Sequence, residues 1–130
     1  MSKTIISTKN SPTAIGTYSQ AVKVVGSMVF TSGQIPLDPI TGDLVSDEFD
    51  EQAIQTLKNI EGILKERKCT IDNLIKLTVY VVDLSNFDIL NKVFEDFFNK
   101  ESYPARSVVE VSKLPKNSQI EIEAIFYDEN

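Results

Sequence analysis

Apolar residues recur along this chain at two spacings. Over residues 47–68 they fall at Phe49, Ala53, Leu57, Ile60 and Leu64, three or four apart, which predicts an amphipathic helix with one core-facing stripe. Phe87, Leu90, Phe94, Phe97 and Phe98 repeat the pattern and predict a second helix over about 87–99. Ser85 with Asp88 has the spacing of a capping box, and Leu84 with Ile89 that of a hydrophobic staple. Elsewhere the period is two, or the residues are β-branched. Strands are predicted at 4–7, 18–25, 28–32, 74–82, from Ala105 onward, and at 119–127. Gly26-Ser27 reads as the turn of a hairpin between the second and third of these.

In the fourth strand Ile75, Leu77, Val79 and Val81 are assigned to one face, and Lys76, Thr78, Tyr80 and Val82 to the other. Pro104 fixes its own φ and ends the helical pattern, so the chain is extended from Ala105, with Arg106, Val108 and Glu110 on one face. The resulting order is β-β-β-α-β-α-β-β, an α+β arrangement of about six strands. Two helices can hide one side of such a sheet. The other side is expected to carry Tyr80, Val82, Val108, Ile125 and Tyr127, too apolar to face water, and to pack against a second copy of the chain. Residues 10–16 and 33–42 are rich in proline and glycine and read as loops, the second (GQIPLDPITG) as an ordered wall.

Composition narrows the chemistry. A chain of 130 residues without repeat, linker or low-complexity tract is read as one domain, 1–130. The net charge of -6 argues against a nucleic-acid surface, which needs a basic footprint. No apolar leader or membrane span is recognisable, and the single cysteine, Cys69, cannot form an internal disulfide; both fit a cytoplasmic protein. There is no histidine at all, which removes Ser-His and Cys-His nucleophile pairs and histidine-cysteine zinc sites. Any catalysis must rest on carboxylates, tyrosine, arginine, backbone groups and water.

Five places could carry it. Arg106 stands on a valine-rich strand, where a guanidinium suits an anion or a neighbouring carboxylate. Glu121 and Glu123 share a strand face; at an interface a carboxylate there could be desolvated into a useful acid or base, in open solvent both would be ordinary surface groups. Asn91 borders the apolar stripe of the second helix, Tyr18 follows Gly16 at a loop-to-strand turn, and Ser32-Gly33 ends a strand where a ligand could approach the backbone.

Taken in order, GTYSQAV from Gly16, TSGQIPLDPITG, Asn91, PARSVVEV and LPKNSQIEIEAI resemble the reactive-intermediate deaminase (Rid, or YjgF-type) family over nearly the whole chain, closest to the branch that hydrolyses enamines and imines. The resemblance implies a chorismate-mutase-like fold with a six-stranded, mostly antiparallel sheet, two helices on one face, and a homotrimer with clefts between subunits. It implies that Arg106 grips a substrate carboxylate with help from the Gly33 N–H. Tyr18, Ser32 and Asn91 would complete the pocket, while Glu121 and the Val108 carbonyl would hold the attacking water. Substrates would be 2-aminoacrylate, 2-aminocrotonate and their imine tautomers, released by pyridoxal-phosphate-dependent dehydratases without a stable complex; no metal or organic cofactor is implied. Relatives described as ribonucleases or translation inhibitors, and a non-enzymatic carboxylate-binding or chaperone role, are the alternatives. This chain departs from the family pattern at two positions. Thr17 stands where proline is usual, which is expected to loosen the Tyr18 loop. Val108 stands where cysteine is frequent, leaving Cys69, which the motif order does not put near Arg106, as the only thiol and arguing against a covalent step.

Overall fold

A computed structural model describes residues 3–130. Strands β1 (Lys3–Ile6), β2 (Ala21–Val24) and β3 (Ser27–Phe30) precede helix α1 (Phe49–Glu66). Then come β4 (Leu74–Val81), α2 (Phe87–Phe97), β5 (Ala105–Glu110) and β6 (Ile120–Asp128). The predicted order therefore holds, with helix ends within two residues of expectation.

The pairing differs from expectation. β2 and β3 do not form a hairpin: β2 pairs with β1, while β3 pairs with β6. The six strands make two sheets, β1-β2 and β3-β6-β4-β5, rather than one. The larger sheet is antiparallel except for the β4-β5 pair. A parallel bridge between Ser19 and Ala105 and the Ser19 N–H to Pro104 carbonyl bond (3.1 Å) hold the small sheet against the β5 edge. The Lys3 ammonium donates to the carbonyls of Asp72, Leu74 and Ser102 at 3.0–3.1 Å, tying β1 down from its other end.

α1 lays its predicted stripe on β6, and all five residues of that stripe are buried. Two polar side chains, Gln52 and Thr56, are buried with them. Gln52 bridges the Ser46 carbonyl and the Gln119 N–H, both at 2.8 Å, and the Thr56 hydroxyl donates to the Gln52 carbonyl. Their hydrogen bonds compensate the burial. The helix closes with Cys69 N–H on the Leu64 carbonyl and Lys68 N–H on Lys65, with Lys68 at φ 58°, a left-handed position usually held by glycine.

α2 begins without the predicted capping box. A 3-10 turn at Leu84–Asn86 precedes it, and Asp83, not Ser85, caps that turn by accepting the Ser85 N–H. Leu84 and Ile89 are exposed, so there is no staple. An irregularity between Leu74 and Lys76 shifts the parity of β4: Leu74 and Leu77 are both buried, and Ile75 leaves the core face.

β5 corrects the assignment of faces. Val79 is fully buried and stands in register with Val108, so Val108 packs on the helix side, against the core. Tyr127 keeps its expected face, in register with Met28, but is buried there. The uncovered face instead carries Tyr80, Ile125, Met28, Phe30 and Val109, the last three exposed. It is semi-apolar, as anticipated, with different members.

Candidate functional site

Arg106 leaves β5 in register with the core residue Leu77 and runs beneath α2. Its guanidinium carbon lies 5.1 Å from the Phe94 ring centroid, 5.5 Å from Phe87 and 5.6 Å from Tyr18, so three aromatic rings surround the cation. Nη1 donates to the Thr17 hydroxyl at 2.8 Å and to Asn91 Oδ1 at 2.9 Å, and the Thr17 hydroxyl donates to the same Asn91 oxygen at 2.9 Å. None of the ion pairs among the described residues involves Arg106. Burial lowers its pKa, and Tyr18 and Tyr103 act the other way, but a guanidinium remains charged. Arg106 is thus a half-buried cation with no carboxylate partner among the described residues.

The loop before β2 packs against this guanidinium. Ser19 is fixed by its hydroxyl on the Tyr103 carbonyl (2.5 Å), and Gln20 gathers the preceding turn through the carbonyls of Thr8 and Pro12. Between them Thr17 is buried, at 5% exposure. The threonine expected to loosen this loop has its hydroxyl bonded on both sides. The Tyr18 hydroxyl accepts from the Ile15 N–H at 3.3 Å.

Glu121 lies elsewhere. It pairs in register with Tyr80 on the uncovered face, half-buried. The chain after β3 returns to β6 through Thr31 N–H on the Ala124 carbonyl (2.9 Å) and a reciprocal pair of bonds between Gln34 and Ile122. Ser32 and Gly33 span the interval, both exposed, with Gly33 directly against the Glu121 side chain. A Cβ at Gly33 would collide with the Glu121 side chain, so any other residue there would displace that carboxylate. A groove of about 750 Å³ runs from Gly33 along α1 between the 33–42 loop, Lys58, Asn59 and Ile63, and touches neither Arg106 nor Glu121.

The structure thus brings Arg106, Tyr18 and Asn91 together, and separately brings Ser32, Gly33 and Glu121 together. Val108 belongs with the first group through its backbone. The Val111 N–H reaches the Val81 carbonyl at 2.8 Å, and the two-residue alternation of a ladder then aims the Val108 carbonyl at the outer edge of β5. Glu123, also on the open face, lines a small recess with Phe30, Thr31 and Lys76. Sequence reasoning missed Thr17 as a partner of Arg106, and Phe87 and Phe94 as its aromatic cover. A threonine after glycine reads as loop, and a phenylalanine stripe reads as core.

Comparison with known proteins places this arrangement. The family model described as Endoribonuclease L-PSP matches residues 8–127. A 2-iminobutanoate/2-iminopropanoate deaminase of Salmonella typhimurium is 49% identical over 127 residues, covering 96% of this chain and 97% of that protein. A human protein of the same name is 46% identical over 121 residues, covering 93% and 87%. The crystal structure of E. coli TdcF with bound serine superposes with a TM-score of 0.74 at 43% identity, covering 97% of this chain and 99% of that one. With matches of this extent, the chain belongs to the Rid (YjgF-type) family.

Proposed function

We propose that this protein hydrolyses small 2-imino acids, the tautomers of 2-aminoacrylate and 2-aminocrotonate, to 2-oxo acids and ammonia. The observation that carries the reading is the half-buried Arg106 guanidinium, ringed by aromatic side chains and without a carboxylate partner among the described residues. It suits the one group that every such substrate carries, a carboxylate α to the C=N bond. The names of the Salmonella and human relatives support the same substrate class.

The chemistry asks little of the protein. A protonated imine is already electrophilic, so one water must be aimed at its carbon and one proton moved to the departing nitrogen. Water adds to the imine carbon, the C–N bond of the resulting aminoalcohol breaks, and ammonia leaves with the nitrogen while the oxygen stays as the ketone. In this reading Glu121 takes the water's proton, the Val108 carbonyl holds the water, and Ser32 and the Gly33 N–H face the substrate carboxylate opposite Arg106.

The two groups lie on opposite faces of one sheet with β4 between them, so this mechanism requires two copies. The cleft is proposed to form where the β5 edge of one copy meets the open face of the next, in a homotrimer. The semi-apolar face bearing Met28, Phe30 and Val109 would supply the contact. The test is a coupled assay. A threonine or serine dehydratase releases the intermediate, and 2-oxo acid formation is timed with and without this protein. Acceleration proportional to added protein supports the reading, and an unchanged time course rejects it.

A further inference from the structure

Thr17 spends a donor that an incoming carboxylate would otherwise use. A guanidinium can meet a carboxylate end-on, through Nη1 and Nη2, or side-on, through Nη2 and Nε. In this chain both hydrogens of Nη1 are committed, one to the Thr17 hydroxyl at 2.8 Å and one to Asn91 Oδ1 at 2.9 Å. The Thr17 hydroxyl passes its own hydrogen to that same Asn91 oxygen at 2.9 Å, closing a ring of three side chains from three parts of the chain. Nη2 and Nε have no acceptor among the described residues. Nη2 faces Gly16, where an added Cβ would already lie 3.4 Å from it, so the absence of a side chain there keeps this edge open.

We infer that Thr17 is a positioning residue: with Asn91 it locks Nη1 and directs the substrate carboxylate onto the Nη2/Nε edge of Arg106, over Gly16. The inference rests on the proposed role of Arg106 as carboxylate anchor. The neighbouring rings attract the charge without directed bonds, so it is the hydrogen bonds that fix how the guanidinium is turned. The Asn91 amide alone could pivot about its own side chain. Thr17 is buried and has its hydroxyl engaged on both sides, so it fixes the amide oxygen and the guanidinium together.

The test uses the whole protein and 2-oxobutanoate, a stable carboxylate of the product class, as the probe. Arg67 and Arg106 are the only arginines, so the guanidinium NMR spectrum contains two side chains. In the wild type, the Nη1 hydrogens of Arg106 should be resolved and slow to exchange, and added 2-oxobutanoate should shift Nε and Nη2 while leaving Nη1 in place. Thr17→Val keeps the shape and removes the hydroxyl. It should collapse the resolved Nη1 signals and weaken 2-oxobutanoate binding by about ten- to a hundredfold, the worth of one hydrogen bond to a charged group. Thr17→Ser should restore both. In turnover the loss should appear in KM more than in kcat.

Averaged Nη1 hydrogens in the wild type, a ligand shift centred on Nη1, or a folded Thr17→Val protein with wild-type affinity would each overturn the inference. The wild-type spectrum decides the matter even if Thr17→Val does not fold. Thr17-dependent 2-oxobutanoate binding without imine hydrolysis would instead reject the deaminase reading and leave this one standing.

Discussion

Arg106 and Glu121 project from opposite faces of the same sheet, the first in register with the buried Leu77, the second with Tyr80 on the open side. A reaction that needs both therefore needs two molecules. The Arg106→Ala and Glu121→Gln proteins, each inactive alone, should regain activity when refolded together. In a closed ring with random mixing, each cleft draws its arginine from one copy and its glutamate from the next, so about a quarter of clefts are intact. Light scattering should give about three times 14.5 kDa for every sample. Mixed rings of full mass with no recovery would show that both residues act from one chain.

Arg106 is expected to be the most costly single loss. Breaking a buried, hydrogen-bonded charge pair costs roughly 2–5 kcal/mol, so Arg106→Ala should lower kcat/KM by about thirtyfold to several thousandfold. Arg106→Lys should recover little, because an ammonium cannot satisfy Thr17, Asn91 and a carboxylate from one planar fork. A folded Arg106→Ala protein with near-normal turnover would remove the anchor from the mechanism.

Glu121 and Glu123 share a face and separate two roles. Glu121 abuts Gly33, whereas Glu123 stands in register with Thr78 and beside Lys76. Glu121→Gln should reduce kcat by about a hundredfold or more, the usual contribution of a general base, with 2-oxobutanoate binding retained. Glu123→Gln should leave turnover within a factor of about two, as expected of a surface group outside the chemistry. The reverse ranking would move the water to the Glu123 recess.

Cys69 should be a bystander. It is buried at the end of α1, with Sγ 3.5 Å from the Arg67 carbonyl and 3.8 Å from that of Tyr127, and burial, then Asp128, push its pKa up. A protonated, covered thiol reacts slowly. Iodoacetamide should label it only on unfolding, and deaminase activity should survive prolonged treatment of the native protein. Rapid loss of activity that Cys69→Ser prevents would place the thiol near the cleft.

Asp128 gives an acid-sensitive contribution to stability. The Asn130 N–H and the Arg67 guanidinium (2.6 Å) hold its pKa below the usual carboxylate value. The unfolded chain binds the proton first as pH falls through about 4, so stability drops from there down to the folded-state pKa and is unaffected at neutral pH. Asp128→Asn should flatten that part of the Tm-versus-pH curve. An unchanged slope would mean that the pair contributes nothing.

The helices and most strands were legible because their apolar periods are long and regular. Pairing was not. Gly26-Ser27 is a sound local turn signal, yet β3 gains more by joining β6, which brings Val29 opposite the buried Phe126. Facing was misread wherever parity slipped, as at Ile75, or where a parallel partner decided it, as at Val108. The candidate site residues were recognisable as a set only through family resemblance. Their division between two faces follows from the β3-β6-β4-β5 order, which no local spacing encodes. Thr17 was read as a weakness because the cue lay in its backbone context, while its effect lies in a hydroxyl 89 residues from its arginine partner.

The position of β6 has a further consequence for how the protein is made. The last strand of the chain is an interior strand of the larger sheet, between β3 and β4, and the Lys3 ammonium waits for a carbonyl 99 residues away at Ser102. During synthesis the α1 and β4 segments leave the ribosome with no strand for α1 to cover and no antiparallel neighbour for β4. Helices can form early, but the sheet closes only once β6 has emerged, through contacts of high sequence separation that make folding slow. A chain that stops short of Ile120 lacks not its end but its middle, and should be degraded rather than persist as a partial domain.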